Sequence, residues 1–138
     1  MSGSVTTVLV DRDGVLCEEP TQFVKTLAEL RLLPRSLEAL SRLTLASLCV
    51  VIISNQSGVG RGFLTEGTLR EITDSLLAQA RAAGGEVAGV YYCTHRPDEG
   101  CDCRKPKPGL VLRAASDLGF DPTRAVMVGD NICDVELA

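Results

Sequence analysis

The chain has 138 residues, 45% of them hydrophobic, and a formal net charge of −4, which fits one domain able to bury roughly two-thirds of its unfolded surface without covalent staples. The acidic balance, the lack of a basic run and an aromatic content of 4% argue against nucleic acid or an anionic membrane as a bulk partner. No stretch approaches the roughly 20 apolar residues of a membrane span, and Met1-Ser2-Gly3-Ser4 has neither the charge nor the apolar core of a secretory signal, so neither is expected.

Residues 5–10 read as a first buried strand, Val5-Thr6-Thr7-Val8-Leu9-Val10. Asp11-Arg12-Asp13-Gly14 follows directly. In extended backbone, residues i and i+2 point to the same side, so both carboxylates can face one site. They repel each other there unless a cation intervenes, and a divalent metal is the simplest one. A carboxylate nucleophile, an adjacent acid/base carboxylate and a hard metal together suggest phosphoryl transfer through an aspartyl-phosphate. A polar turn closing a strand is the plain alternative.

Residues 15–34 look irregular, with Pro20 and Pro34 as breakers. Ser36 can cap a helix whose apolar stripe is Leu37, Leu40 and Leu43, with Leu48 beyond. Residues 48–54 form a second strand, apolar on both faces, followed by a glycine-containing loop over 55–62. Thr65 or Thr68 starts the next helix, with Leu69, Ile72, Leu76, Leu77 and Ala80 at helical spacing and Gly84-Gly85 at its end. Residues 87–92 are a third strand. A Cys/His loop spans 93–103. Pro108 suits the first turn of a helix running to Leu118 and stopped by Gly119. Residues 125–128 are a fourth strand, ending at Gly129-Asp130.

Strand and helix alternate throughout, which predicts an α/β fold: a three-layer, Rossmann-like parallel sheet flanked by helices and joined by right-handed crossovers. Ligands in such sheets bind beyond the carboxyl ends of the strands. Asp11 and Asp13 follow strand one, Ser54 and Asn55 strand two, Cys93 strand three, and Asp130 strand four. Four chemically loaded positions thus share one end of the sheet.

Ser54-Asn55-Gln56-Ser57-Gly58 offers hydroxyl and amide donors and a flexible backbone that can surround phosphate oxygens without adding charge, with Ser54 and the Asn55 backbone as the candidate contacts; a polar loop capping a strand is the alternative. Arg104-Lys105-Pro106-Lys107-Pro108 sets three cations beside two prolines that restrict their backbone. Lys105 can neutralise a phosphoryl group, and Arg104 can bind a second phosphate or hydroxyls by its planar fork. Lys107 is expected to be solvated. Asp130 is placed to complete a Mg²⁺ site with Asp11 and a backbone oxygen of Asp13, since Mg²⁺ prefers octahedral oxygen ligation. Asn131 can add a carbonyl or hold a coordinated water, and Asp134 supports Asp130 from the same helical face. A helix N-terminus favoured by its dipole explains these acids equally well.

Six cysteines raise a disulfide framework as one possibility, but that suits short secreted chains; with Cys93, Cys101 and Cys103 crowded into one loop and Cys17, Cys49 and Cys133 scattered, a reducing cytoplasm and a metal cluster are expected. Cys49 lies in a strand and is expected to behave as a small buried hydrophobe. Cys93, His95, Cys101 and Cys103 match the donor set of a closed tetrahedral zinc site, whose role is structural and would order the loop ending in Arg104-Lys105. A free-thiol or disulfide loop remains the alternative.

Asp11-x-Asp13, Ser54, Lys105 and Gly129-Asp130-x-x-x-Asp134, in that order, resemble the motifs of the haloacid dehalogenase superfamily, over essentially the whole chain. Within it, residues 55–62, the Cys/His loop and residues 103–109 resemble the D-glycero-D-manno-heptose 1,7-bisphosphate 7-phosphatases, and the zinc loop is similar to that of histidinol-phosphate phosphatases. The resemblance implies a Mg²⁺- and Zn²⁺-dependent sugar-bisphosphate phosphatase of heptose biosynthesis for lipopolysaccharide or related glycans, without a large cap. It implies Asp11 as nucleophile, Asp13 as proton donor, and Ser54 and Lys105 as stabilisers of the transferring phosphoryl. Mg²⁺ ligation then falls to Asp11, Asp13 and Asp130 with Asn131 adjacent, and zinc to Cys93, His95, Cys101 and Cys103. Substrate contacts fall to Arg104, to Asn55, Gln56 and Ser57, and to the segment holding Glu19, Thr21, Gln22 and Phe23. Thr94 stands where proline is common, and the 19–22 segment departs from the family pattern. The chain stops at Ala138, where relatives continue, so either a fragment or a shortened protein with an exposed sheet edge is expected. A single domain over 1–138, acting as a monomer, follows. Histidinol-phosphate hydrolysis, a non-catalytic phosphometabolite-binding domain and a zinc-stapled interaction module are the other readings.

Overall fold

The computed structural model describes residues 5–13, 15–17, 26, 30–56, 58–95, 100–101, 103, 105 and 107–129. Among the described residues, four strands form one sheet: β1 (Thr7–Val10), β2 (Cys49–Asn55), β3 (Gly89–Cys93) and β4 (Ala125–Val128). Three helices connect them: α1 (Pro34–Leu45), α2 (Glu66–Ala82) and α3 (Gly109–Leu118), with a 3-10 turn at Pro122–Arg124 before β4. The strand order is β3-β2-β1-β4 and every pairing is parallel, as the alternation predicts.

Strand side chains alternate between the two faces of the sheet. Val8, Val10, Val50 and Ile52 pack with Leu40 of α1 and Leu76 and Ala80 of α2. Leu9, Val51 and Ile53 face the other way, onto Leu110, Val111 and Ala114 of α3. The sheet is therefore the middle of three layers. Val51, Ile52 and Ile53 have no exposed surface, and each such side chain contributes roughly 1.5–3 kcal/mol by leaving water. A charge at Ile52 would sit between β2 and α2 with no partner, which the layer cannot accommodate.

The elements begin and end for local reasons. Thr65 caps α2, its Oγ1 accepting from the Thr68 amide at 3.1 Å. Gly119 ends α3 in the left-handed region at φ +75°, which glycine enters without steric cost. Pro34, expected as a breaker, is instead the first residue of α1. That position lacks an intrahelical N–H bond in any case, so proline costs nothing there. Ser36 consequently lies inside the first turn, and its hydroxyl donates to the carbonyl of Val15 rather than capping. The expectation of strands apolar and buried on both faces holds for β1 and β2, whereas β3 is half-buried and β4 leaves Val126 and Val128 exposed. The central pair carries the core, and β3 and β4 flank it. Cys49, expected to be buried, is half-buried at the start of β2.

Among the described residues, no helix is long and apolar enough to cross a membrane.

Candidate active site

Asp11 is the first residue beyond β1, and its amide donates to the Val128 carbonyl of β4 at 3.0 Å. Its carboxylate is turned back toward its own loop, where Oδ1 accepts from the Arg12 amide at 2.8 Å. The Lys105 ammonium lies 3.4 Å from the same oxygen. Lys105 is 3% exposed. Its Nζ also donates to the Ile53 carbonyl at 3.1 Å, and its backbone is gripped on both sides by the Asn55 amide: Lys105 N donates to Asn55 Oδ1 at 3.0 Å, and Asn55 Nδ2 donates to Lys105 O at 3.4 Å. Residues fifty positions apart in the chain thus deliver a cation to the carboxylate expected to act as nucleophile.

Asp13 lies one step further along the loop. Its Oδ1 accepts from Arg12 Nε at 2.8 Å and from the Cys17 thiol at 3.3 Å, and its Oδ2 accepts from Arg12 Nη2 and from Gln56 Nε2, each at 3.3 Å. Arg12 has no exposed surface. Its Nη2 donates to Gln56 Oε1 at 2.9 Å, its Nη1 lies 3.5 Å from the Tyr92 hydroxyl, and its guanidinium stands 5.5 Å from the centre of the Tyr92 ring. Burial works against the Arg12 charge, but Tyr92 and Asp13 outweigh it and hold the group above its ordinary range. Burial first, and then the Asp13 charge, push the Cys17 thiol up to about 12, so it remains a donor at neutral pH. Ser54 is buried at the end of β2, with its Oγ accepting from Gln56 Nε2 at 3.0 Å.

The Cys/His loop brings Cys93, His95, Cys101 and Cys103 together, one donor atom of each lying within 4.8 Å of all the others. Cys93 Sγ is 3.5 Å from Cys101 Sγ, 2.9 Å from Cys103 Sγ and 3.7 Å from His95 Nδ1, and His95 Nδ1 is 3.2 Å from Cys103 Sγ. A tetrahedron with ~2.3 Å metal–sulfur bonds has edges of about 3.8 Å, so these separations suit a zinc ion after a small expansion. None of the five described cysteines is in a disulfide. Burial pushes the Cys93 thiol up to about 12, with its contact to Cys103 adding to it; a bound divalent cation would displace that proton. The loop is tied to the end of β2 through Gln56 N to Cys93 O at 2.6 Å and Gly60 N to Thr94 O at 2.9 Å.

Of the residues singled out in the sequence, Asp11, Asp13, Ser54, Asn55, Gln56 and Lys105 gather at the carboxyl ends of β1 and β2, and the four Cys/His donors gather at the end of β3. Gln56 takes a part other than the one expected, whereas the contact expected of Asn55, through its backbone, does not depend on its side chain's bonds. The Asn55 side chain holds the Lys105 backbone, and the Gln56 side chain is 2% exposed, its amide engaged by Arg12, Asp13 and Ser54. Both amides are therefore committed internally instead of facing a ligand. Lys107, expected to be solvated, is exposed, and its Nζ donates to the Cys101 carbonyl at 2.8 Å. Gly14, Glu19, Thr21, Gln22, Phe23, Ser57, Arg104, Asp130, Asn131 and Asp134 lie outside the described residues. Arg12, Cys17 and Tyr92 join the site without a motif that marks them in the sequence; a basic residue wedged between two acids is the one signal there.

The family model of haloacid dehalogenase-like hydrolases matches residues 18–138. The chain belongs to this family. Its relatives among these hydrolases include the D-glycero-beta-D-manno-heptose-1,7-bisphosphate 7-phosphatase of Pseudomonas aeruginosa, 40% identical over 131 residues that cover 95% of this chain and 74% of that protein. The crystal structure of D,D-heptose 1,7-bisphosphate phosphatase from B. bronchiseptica, complexed with magnesium and phosphate, superposes with a TM-score of 0.88 at 38% identity, over 97% of this chain and 75% of that one. The enzyme of the same name from Burkholderia thailandensis gives a TM-score of 0.68 at 30% identity, over 95% and 70% of the two chains. The parallel sheet with flanking helices is the fold of these hydrolases, as the motif resemblance implied.

Proposed function

We propose that the chain is a Mg²⁺-dependent phosphatase that removes the 7-phosphate of D-glycero-D-manno-heptose 1,7-bisphosphate through an aspartyl-phosphate on Asp11. The observation that carries this is the buried Lys105 ammonium 3.4 Å from Asp11 Oδ1 at the carboxyl edge of the sheet. A phosphoryl group entering there meets a nucleophile and a fixed positive charge at once, in surroundings where such charges act strongly. The names of the relatives supply the substrate.

An Asp11 carboxylate oxygen attacks phosphorus in line, forming the P–O(Asp11) bond as the P–O(sugar) bond breaks. Asp13 gives its proton to the departing sugar oxygen. Asp13 then takes a proton from water as that water attacks phosphorus, releasing inorganic phosphate and restoring Asp11. Lys105 neutralises charge gathering on the phosphoryl oxygens. The Ser54 hydroxyl, whose oxygen accepts from Gln56, retains its proton to donate to one of them. Mg²⁺, held by Asp11, the Asp13 backbone, Asp130 and Asn131, would supply Lewis-acid charge that lets Asp11 stay ionised beside the phosphate. Zn²⁺ on Cys93, His95, Cys101 and Cys103 would leave no ligand position open and so serve to hold the loop that delivers Lys105. Arg104, Ser57 and the segment of Glu19, Thr21, Gln22 and Phe23 are left to contact the sugar. The enzyme acts as a cytoplasmic, monomeric single domain.

Phosphate release should be measured from the heptose bisphosphate, histidinol phosphate and an aryl phosphate, with and without Mg²⁺. Mg²⁺-dependent preference for the heptose bisphosphate is expected. Preference for histidinol phosphate would overturn the substrate, and ligand binding without phosphate release would overturn catalysis.

A further inference from the structure

Among the described residues, Arg12 is the largest side chain with no exposed surface, and the chemistry above gives it no task. A buried ion is a poor device for stability, because packed apolar residues of similar volume do as well or better. Its contacts point to a geometric purpose. The guanidinium presents Nε and Nη2 as a fork to the two oxygens of Asp13, at 2.8 and 3.3 Å. The fork is itself braced. Gln56 Oε1 takes Nη2 at 2.9 Å while Gln56 Nε2 reaches the same Asp13 oxygen, and Tyr92 lies over the guanidinium with its hydroxyl 2.9 Å from Thr73 Oγ1. Asp13 sits on a loop just beyond β1, yet its carboxylate is referenced to β3, to α2 and to the residue following β2.

We propose that Arg12 is the positioning residue for Asp13, fixing the plane of its carboxyl group so that one oxygen addresses the leaving-group oxygen. This rests on the assignment of Asp13 as the acid/base. The planar fork is what the task requires, since two parallel donors set an orientation that a point charge cannot. Arg12 has no exposed surface and its fork ends on Asp13, so its removal is expected to act through Asp13 and not through a contact of its own with substrate.

The test compares kcat on the heptose bisphosphate with kcat on p-nitrophenyl phosphate, whose leaving group needs no proton, at saturating Mg²⁺. Asp13→Asn, Arg12→Met, Arg12→Lys and the Arg12→Met/Asp13→Asn double variant are each checked for fold by circular dichroism. Acid catalysis contributes typically ~10²–10⁴-fold. Asp13→Asn is expected to lose that much on the sugar phosphate and far less on the aryl ester. Arg12→Met should lose roughly 10²-fold with the same selectivity and little change in KM, and the double variant should be no worse than Asp13→Asn. Arg12→Lys retains the buried charge without the fork; it should fold and show the same selective loss, so it answers the question even where Arg12→Met does not accumulate. Equal losses on both substrates for the Arg12 variants, or additive losses in the double variant, would overturn the positioning role while leaving Asp13 as the acid. An Asp13→Asn enzyme without the selectivity would overturn both.

Discussion

Lys105→Met keeps the length and apolar stem of the side chain and removes only the ammonium. At 3.4 Å from Asp11, unit charges attract by about 5 kcal/mol at an effective dielectric of about 20, most of which offsets the cost of taking both ions out of water. The Asp11 side chain is 13% exposed and can draw in water when its partner goes. The Ile53 carbonyl also loses a donor. Together these give an expected loss of about 1–3 kcal/mol of folding stability, read as a lower urea midpoint at unchanged m. Turnover should fall further, by roughly 10²–10³ in kcat, because the phosphoryl charge then meets no fixed cation. The Asp11→Asn/Lys105→Met double variant should recover part of the lost stability, since no carboxylate is left facing an absent partner, while showing no turnover. A Lys105→Met protein with wild-type midpoint and wild-type kcat would refute the pairing and its role. So would a double variant whose stability losses simply add.

Two further outcomes are expected. Removing zinc, by chelation or by Cys103→Ser, should lower stability and turnover together, because Cys103 lies two residues before Lys105; metal analysis confirms the loss, and a verified zinc-free protein with unchanged midpoint and activity contradicts the structural role. The Cys17 thiol is pushed up to about 12 from 9.0, so above pH 9 the unfolded chain releases a proton that the folded chain keeps. Its stabilising contribution is complete below that pH and declines toward pH 12, with a slope of up to ~1.4 kcal/mol per pH unit. Alkaline urea titrations of the zinc-loaded protein should therefore show a flatter decline for Cys17→Ala than for wild type, and identical slopes would count against the buried thiol.

The alternation of apolar runs and helical stripes carried the layered parallel sheet, because β1 and β2 are buried on both faces and their sequences say so. Strand order is not written in that pattern, so it does not say which strands flank the central pair; β3 and β4 do, and they are the partly exposed ones. Pro34 misled because proline both breaks helices and begins them, and only the backbone at Leu33 distinguishes the two. Lys105 and the Cys/His set were legible as residue types in spaced motifs, whereas the burial of Lys105 depends on Asn55, fifty residues away. The sequence does not tell whether the Gln56 amide serves a phosphate or an internal bond, because it suits both equally well. Arg12 was invisible for a related reason: between two acids it looks like a solvated charge, and its bracing residue Tyr92 is eighty positions distant.

The most direct test concerns Asp11 itself. Phosphate release from the heptose bisphosphate at saturating Mg²⁺ should be undetectable for Asp11→Asn, in a protein whose circular dichroism and urea transition show it folded. Release at the wild-type rate by that folded variant would mean that another group, or water alone, attacks phosphorus.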